Sequence, residues 1–261
     1  MSIIDRYITL PEIKSILSGY SVITLEEMEQ SHLMSRFDEK FVFNVSKLPA
    51  FLEGLKSHYQ ILSVNSHVLS QYENIYFDTE DLKSYHDHHN GRGTRYKVRF
   101  RMYTDSGACY LEVKKKDNRG FTKKNRMPVK EMSRHLSPED LEFISRYAGD
   151  TDQPLQPSLS NHFHRITLVN SECRERVTLD VMIHFQNEIR EKDLASVVIA
   201  EVKQEHHSYP SAFKRLMQHD RIFPASFSKY CMGTLLTHPG IKYNRFKPKL
   251  TILNKICDGL V

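Results

Sequence analysis

Lys97, Arg99 and Arg101 stand two apart in KVRFR, and Glu112, Lys114 and Lys116 stand two apart in LEVKKK. Alternate residues of an extended strand share a face, so each triplet makes a charged row. Val98, Phe100 and Met102, with Leu111 and Val113, make the apolar row behind it. Asp105, Ser106 and Gly107 fall between the two runs, which therefore read as a hairpin. The same alternation gathers Arg36, Asp38 and Lys40; Lys124 and Arg126; Arg174, Arg176 and Asp180; and Glu201 and Lys203. For a single strand, a two-sided sheet with a solvated polar face is the simpler reading. Repetition along the whole chain strains it.

If these faces turn inward, cations buried without partners would each cost several kcal/mol. A polyanion between them removes the conflict. Arginine offers paired hydrogen bonds to phosphate and lysine a mobile point charge. The interspersed carboxylates suit a divalent metal that phosphate oxygens also bind. Such a lumen could stabilise phosphoryl transfer by positioning and electrostatics, without a protein nucleophile.

The elements that would hold these rows follow from periodicity. Residues 5–35 are helical in character, with Thr24 and Glu27 spaced as a capping box. A strand follows at 36–43, then a helix capped by Ser46, with Leu48, Phe51, Leu52 and Leu55 at helical spacing. The period then changes to two through 71–80, 95–103, 109–116 and 121–129. Ser137 and Pro138 open a helix to about Tyr147, and 149–160 reads as an internal linker. Three more strand runs, a helix near 210–219 and a basic tail complete the chain. VTLDVMI and VVIAEVKQE echo IYFDTE and CYLEVKKK, which suggests a duplicated antiparallel sheet closing on itself and so removing its edges.

Composition sets the bounds. The 261 residues are 39% hydrophobic and 26% charged, ordinary for a globular chain, and a formal charge of +5 is too mild to point to a partner by itself. Cys109, Cys173, Cys231 and Cys257 lack the pairing of a zinc site or the density of a disulfide scaffold, so free thiols are expected. With no signal peptide and no run near the roughly 20 apolar residues of a membrane span, the expectation is a cytoplasmic protein.

RFDEK, YFDT, KVRFRMY, YLEVKKK, KKNR, AEVK and FSKYCMG, in this order over about residues 20–235, resemble the VTC domain family, the polyphosphate polymerase branch of the CYTH-like triphosphate tunnel metalloenzymes. The resemblance implies an α+β fold, an antiparallel eight-stranded β-barrel tunnel with helices around it. It divides the chain into an N-terminal helical segment (1–35), a tunnel domain (36–238) and a basic C-terminal tail (239–261). The implied activity transfers the terminal phosphate of ATP to growing polyphosphate, with Mn2+ or Mg2+. Lys40, Arg99, Arg101, Lys114 and Glu201 would be catalytic. Arg36, Lys124, Arg126, Arg165, Arg176, Lys203, Ser228 and Lys229 would contact phosphate. Glu201 would hold the metal, with Glu112 or Asp180 assisting.

This chain departs from the family's pattern at three places. Phe163 stands where relatives often carry a tyrosine, and Lys116 and Ser226 stand where eukaryotic relatives carry histidine and lysine. The first removes a hydroxyl contact; the other two bear on nucleotide positioning more than on phosphate binding. Without the membrane and regulatory domains of the eukaryotic complex, the chain reads as a lone soluble catalytic domain, any membrane partner being another protein. The same basic lumen would also serve a triphosphate or polyphosphate hydrolase, or a module that only binds polyphosphate or inositol phosphates.

Other features have plainer readings. His86, His88 and His89 in YHDHHN, on a turn before Gly91, and His206 with His207, lack the spacing that converges on one metal. The tail KYNRFKPKL reads as solvated. Phe100 lies opposite Arg99 and Arg101, which argues against stacked bases and hence against a nucleic-acid partner. A helix within 5–35 lying on a tunnel mouth would gate access.

Overall fold

Alternating apolar and polar residues build one continuous sheet in the computed structural model, which describes residues 8–30, 37–205 and 210–257. The first elements are α1 (Leu10–Leu17), β1 (Val22–Ile23) and α2 (Leu25–Gln30). β2 (Phe37–Asn44), α3 (Leu48–Leu55), β3 (Gln60–Leu62), β4 (Leu69–Asp78) and α4 (Lys83–Asn90) follow. The middle of the chain forms β5 (Arg95–Tyr103), β6 (Ala108–Lys116), β7 (Thr122–Val129) and α5 (Pro138–Ala148). β8 (Gln156–Asn170), β9 (Glu175–Gln186), β10 (Glu191–Leu194) and β11 (Val197–Gln204) come next. α6 (Ala212–His219), α7 (Lys229–Thr237) and α8 (Lys247–Ile256) complete it.

The main ladder runs β2-β11-β9-β8-β4-β5-β6-β7, and β1, β3 and β10 lie off this path. Its neighbours all pair antiparallel. The expected eight strands are thus present in one order, but no ladder joins β2 to β7 among the described residues. Two local features mark these edges. Pro128 in β7 has no N–H to donate, a residue tolerated on an edge strand. At the other edge, Ala225 donates its amide to the Lys40 carbonyl at 2.8 Å, so the segment before α7 covers β2.

Period-two alternation divides the sheet into faces. Phe41 and Phe43 of β2, Val177, Leu179 and Val181 of β9 and Val198, Ala200 and Val202 of β11 pack on α1, α3 and α6. Leu48, Leu52 and Leu55 of α3 are fully buried there, each stabilising the fold by about 1.5–3 kcal/mol. Val98, Phe100, Leu111 and Val113 pack with Ile144 of α5. On the other face, Val42, Leu159, Phe163 and Ile199 receive α7 and α8, which fill one part of it with apolar side chains. The remainder carries the charges.

Several local expectations change. The 5–35 segment, where described, is two helices with β1 between them, and the Thr24–Glu27 box is formed. Asn44, not Ser46, caps the 3-10 turn that leads into α3, by accepting the Ser46 amide at 2.8 Å. β8 begins at Gln156, so the last five residues of the expected linker are strand. YHDHHN lies in helix α4 rather than a turn, and the His89 ring accepts the Arg245 amide at 3.2 Å. The basic tail folds as a 3-10 turn and α8, with Phe246 and Leu253 in the core, because its apolar residues recur at helical spacing between the lysines. His206 and His207 lie outside the described residues. No helix among those described is long and apolar enough to cross a membrane.

Candidate functional site

Cross-strand register brings the predicted charges onto one face. Arg99 stands opposite Glu112, and Glu112 opposite Arg126; Lys97, Lys114 and Lys124 form the next row. Across the sheet Arg165 faces Asp180, and Glu201 faces Lys40. The sheet curls so that the segment 225–228 meets β2 at Lys40 and β5 at Lys97, and Lys40 acts electrostatically on Lys114 of β6, the strand next to the far edge.

Three carboxylates organise the cations. Glu112, 2% exposed, accepts Arg99 Nε at 2.9 Å and Lys124 Nζ at 3.1 Å. Burial opposes its charge, but Arg99, Arg101 and Lys124 outweigh that and hold the carboxyl far below the usual range. Asp180 takes Arg165 in a fork, Nε at 2.6 Å and Nη2 at 2.8 Å, and also binds Lys229 Nζ. Glu201 pairs with Lys40 at 3.2 Å and with Lys203, which reaches Asp38 at 3.1 Å. Burial again opposes the Glu201 charge, and Lys203 and Lys40 prevail to lower its pKa. Among the described residues no three His, Cys, Asp or Glu side chains gather as a metal cluster.

Other cations are left without a carboxylate. Arg101 is 8% exposed and donates Nε to Asn74 Oδ1 at 2.9 Å. Burial and then Arg99 push its pKa down. Lys97 donates to Ser228 Oγ at 2.8 Å, and burial lowers its pKa too. Solvent reaches Lys114, but the concave wall surrounds it; that desolvation, then Lys40 and Lys97, lowers its ammonium to about 8.

Ser228 caps α7 by accepting the Cys231 amide at 3.2 Å, so the cap links the helix to β5 through Lys97. Lys229 sits 4.4 Å from the Phe163 ring centre, and Phe163 stacks on Tyr72 at 5.3 Å. Phe163, lacking a hydroxyl, thus supports a cation by its face. Arg126 stands over Tyr110 at 4.8 Å on the exposed edge β7. Arg176 lies 3.8 Å from Met28 Sδ, which sets α2 beside that end of the face.

Every predicted site residue except Arg36, which is outside the described residues, lies on this face or on α7 and its cap. Arg174 does not share the strand face of Arg176: it lies in a left-handed turn, φ 44°, paired with Glu205 at 2.8 Å. Sequence reasoning missed Asn74 and Tyr76, whose hydroxyl accepts Arg99 Nη1 at 2.9 Å. Their alternation with Tyr72 in β4 was the available signal.

The family model described as the VTC domain matches residues 35–238. No curated protein sequence matches the chain. Among solved structures, an adenylyl cyclase candidate from Hippeastrum with a dominant triphosphatase activity is 14% identical, covering 79% of this chain and 98% of its own, with a TM-score of 0.45. An adenylate cyclase candidate from Vibrio parahaemolyticus is 12% identical over 76% of this chain and 99% of its own, TM-score 0.43. One from Bacillus halodurans is 14% identical over 75% and 96%, TM-score 0.42. Nothing about this chain's chemistry follows from likenesses so distant.

Proposed function

The chain belongs to the VTC domain family, and on that premise we propose that it is a metal-dependent polyphosphate polymerase. A terminal oxygen of the growing chain attacks the γ-phosphorus of ATP, the bond to the β-phosphate oxygen breaks, and ADP leaves. The observation that carries this reading is Arg101, buried at 8% exposure and hydrogen-bonded to an amide and to no carboxylate, on the strand face that also carries Arg99 and Lys97. An unpaired buried cation costs several kcal/mol, and a row of phosphates offsets that cost. In this reading the curled sheet acts as a tunnel around the chain, its seam between β2 and β7 covered at Lys40 by the segment before α7.

Lys40, Arg99, Arg101 and Lys114 would neutralise charge on the transferring and leaving phosphates. Lys124, Arg126, Arg165, Arg176, Lys203 and Lys229 would hold the polyphosphate. Ser228 orients Lys97 and could turn its hydroxyl to a phosphate oxygen. A divalent ion fits Glu201, a partly exposed hard-oxygen donor, provided substrate phosphates and water complete its shell; there it would screen phosphate charge. Glu201 is itself paired with Lys40 and Lys203 but is a fifth exposed, whereas Glu112 and Asp180 are almost fully buried against arginine and lysine, so we assign those two to holding the cations in place.

The test is incubation of the purified protein with ATP and Mn2+ or Mg2+, following chains on a gel with ADP and free phosphate. Long chains with matching ADP are expected, and Arg101→Ala and Glu201→Gln should abolish them while thermal unfolding stays cooperative. Free phosphate without chains would make the protein a triphosphate or polyphosphate hydrolase. Binding without nucleotide consumption would make it a polyphosphate-binding module.

A further inference from the structure

The arginines of the groove are held in two different ways. Arg99 and Arg165 rest on carboxylates, Glu112 and Asp180. Arg101, more buried than either, rests on a neutral amide, Asn74, itself 1% exposed.

Hydrogen-bond polarity fixes how that amide must lie. Arginine only donates, so Asn74 presents Oδ1 to Arg101 and turns its NH2 away. That NH2 donates to Asn161 Oδ1 at 2.8 Å, and Asn161 is 3% exposed. The chain Asn161, Asn74, Arg101 runs across the adjacent strands β8, β4 and β5 in register. The Asn161 NH2 has no protein partner. The Arg101 guanidinium is therefore aimed through Nε and lies over the Tyr72 ring at 5.3 Å; it hydrogen-bonds no carboxylate, and the acid that acts on it, Glu112, is already shared between Arg99 and Lys124.

We propose that Asn74 is a positioning residue that presents Arg101 as the phosphate anchor of the groove, the buried arginine that bonds no carboxylate, with Asn161 locking its orientation. This rests on the phosphate-binding reading above and deepens it. A carboxylate at position 74 would hold Arg101 as firmly but cancel its charge. An amide holds without cancelling, so anion affinity concentrates where no internal ion pair must first break. Arg99 and Arg165, each already paired with a carboxylate, contribute less to the net attraction.

The experiment is calorimetric titration with inorganic tripolyphosphate at several KCl concentrations. It compares wild type, Asn74→Asp, Arg101→Gln and the double variant, with thermal unfolding as a check on folding. Asn74→Asp is expected to bind at least about tenfold more weakly, the effect of losing one charge-assisted contact, and to show a shallower salt dependence. The double variant should bind like Arg101→Gln alone, because Asn74 acts through Arg101. Folded Asn74→Asp with wild-type affinity and salt dependence would overturn the assignment, as would additive losses in the double variant. If Asn74→Asp does not fold, Asn161→Leu frees the Asn74 amide from its outer partner and should weaken binding severalfold; unchanged affinity would overturn the assignment. Wild-type protein that fails to bind tripolyphosphate overturns the phosphate reading itself, and this assignment with it.

Discussion

Ala225 donates its amide to the carbonyl of Lys40 at 2.8 Å, so one side of a residue whose side chain lies on the charged face is tied by its backbone to the segment leading into α7. That bond uses a carbonyl on the outer edge of β2, where no strand pairs with it among the described residues. Removing it should loosen the seam without touching a charged group. Ala225→Pro is expected to cost about 1 kcal/mol for the lost hydrogen bond, a fall in Tm of roughly 2–4 °C for a domain of this size. An unchanged Tm, or rapid exchange of the Ala225 amide in the wild type, would count against the seam.

Glu112 is 2% exposed and holds both Arg99 and Lys124. Glu112→Gln keeps the shape and removes the charge, leaving Arg99, a fifth exposed, without its counter-ion. The expected loss is about 3 kcal/mol, the low end for breaking a buried pair because Arg99 still meets some water. Excess tripolyphosphate should stabilise this variant more than the wild type, since phosphate supplies the missing negative charge. Thermal unfolding with and without tripolyphosphate measures both, and an equal gain in the two proteins would contradict the role.

The charged rows were legible because a strand's period of two is short: Lys97, Arg99 and Arg101 share a face whatever their neighbours do. Partners were not legible, because they depend on register. Nothing in YENIYFD says that Asn74 meets Arg101 rather than Arg99; the connection between β4 and β5 sets that register. An antiparallel sheet of eight main strands could be read from the order of motifs, but whether its two edges would pair could not, because that depends on long-range register rather than on local pattern. α8 was hidden because lysines interrupt its apolar residues, and only packing on α4 and α7 shows which face is buried.

Lys114 couples the groove to pH. Its ammonium falls from the ordinary 10.5 to about 8, through desolvation and then the cations Lys40 and Lys97. Below pH 8 it is charged in both the folded and the unfolded chain, and the folded state bears the repulsion. Between about 8 and 10.5 the folded chain releases this proton while the unfolded chain keeps it, so this group makes the free protein more stable as pH rises. A polyanion favours the charged form, so tripolyphosphate binding at pH 8 should take up protons and weaken above that pH. Calorimetry in two buffers of different ionisation enthalpy measures the uptake. Lys114→Arg should lose it, and equal uptake in both proteins would show that another group titrates.

Gly233 lets α7 approach the sheet. A Cβ there would lie 2.5 Å from Phe185 Cδ1 and 2.6 Å from Leu159 Cδ2, too close for either ring or leucine to stay in place. Gly233→Ala must therefore lift the helix that carries Ser228 and Lys229 at its N-terminus. The expected cost is about 1–3 kcal/mol of overpacking, with weaker tripolyphosphate binding as Lys229 moves from Asp180. Gly54 in α3 gives the opposite sign for the same change. The nearest atom to its added Cβ is Leu216 Cδ1 at 3.8 Å, an ordinary contact, so Gly54→Ala should stabilise by about 0.5–1 kcal/mol through reduced backbone freedom. It should leave tripolyphosphate binding unchanged. If both variants shift stability alike, close packing of α7 on β8 and β9 is not what places its cations.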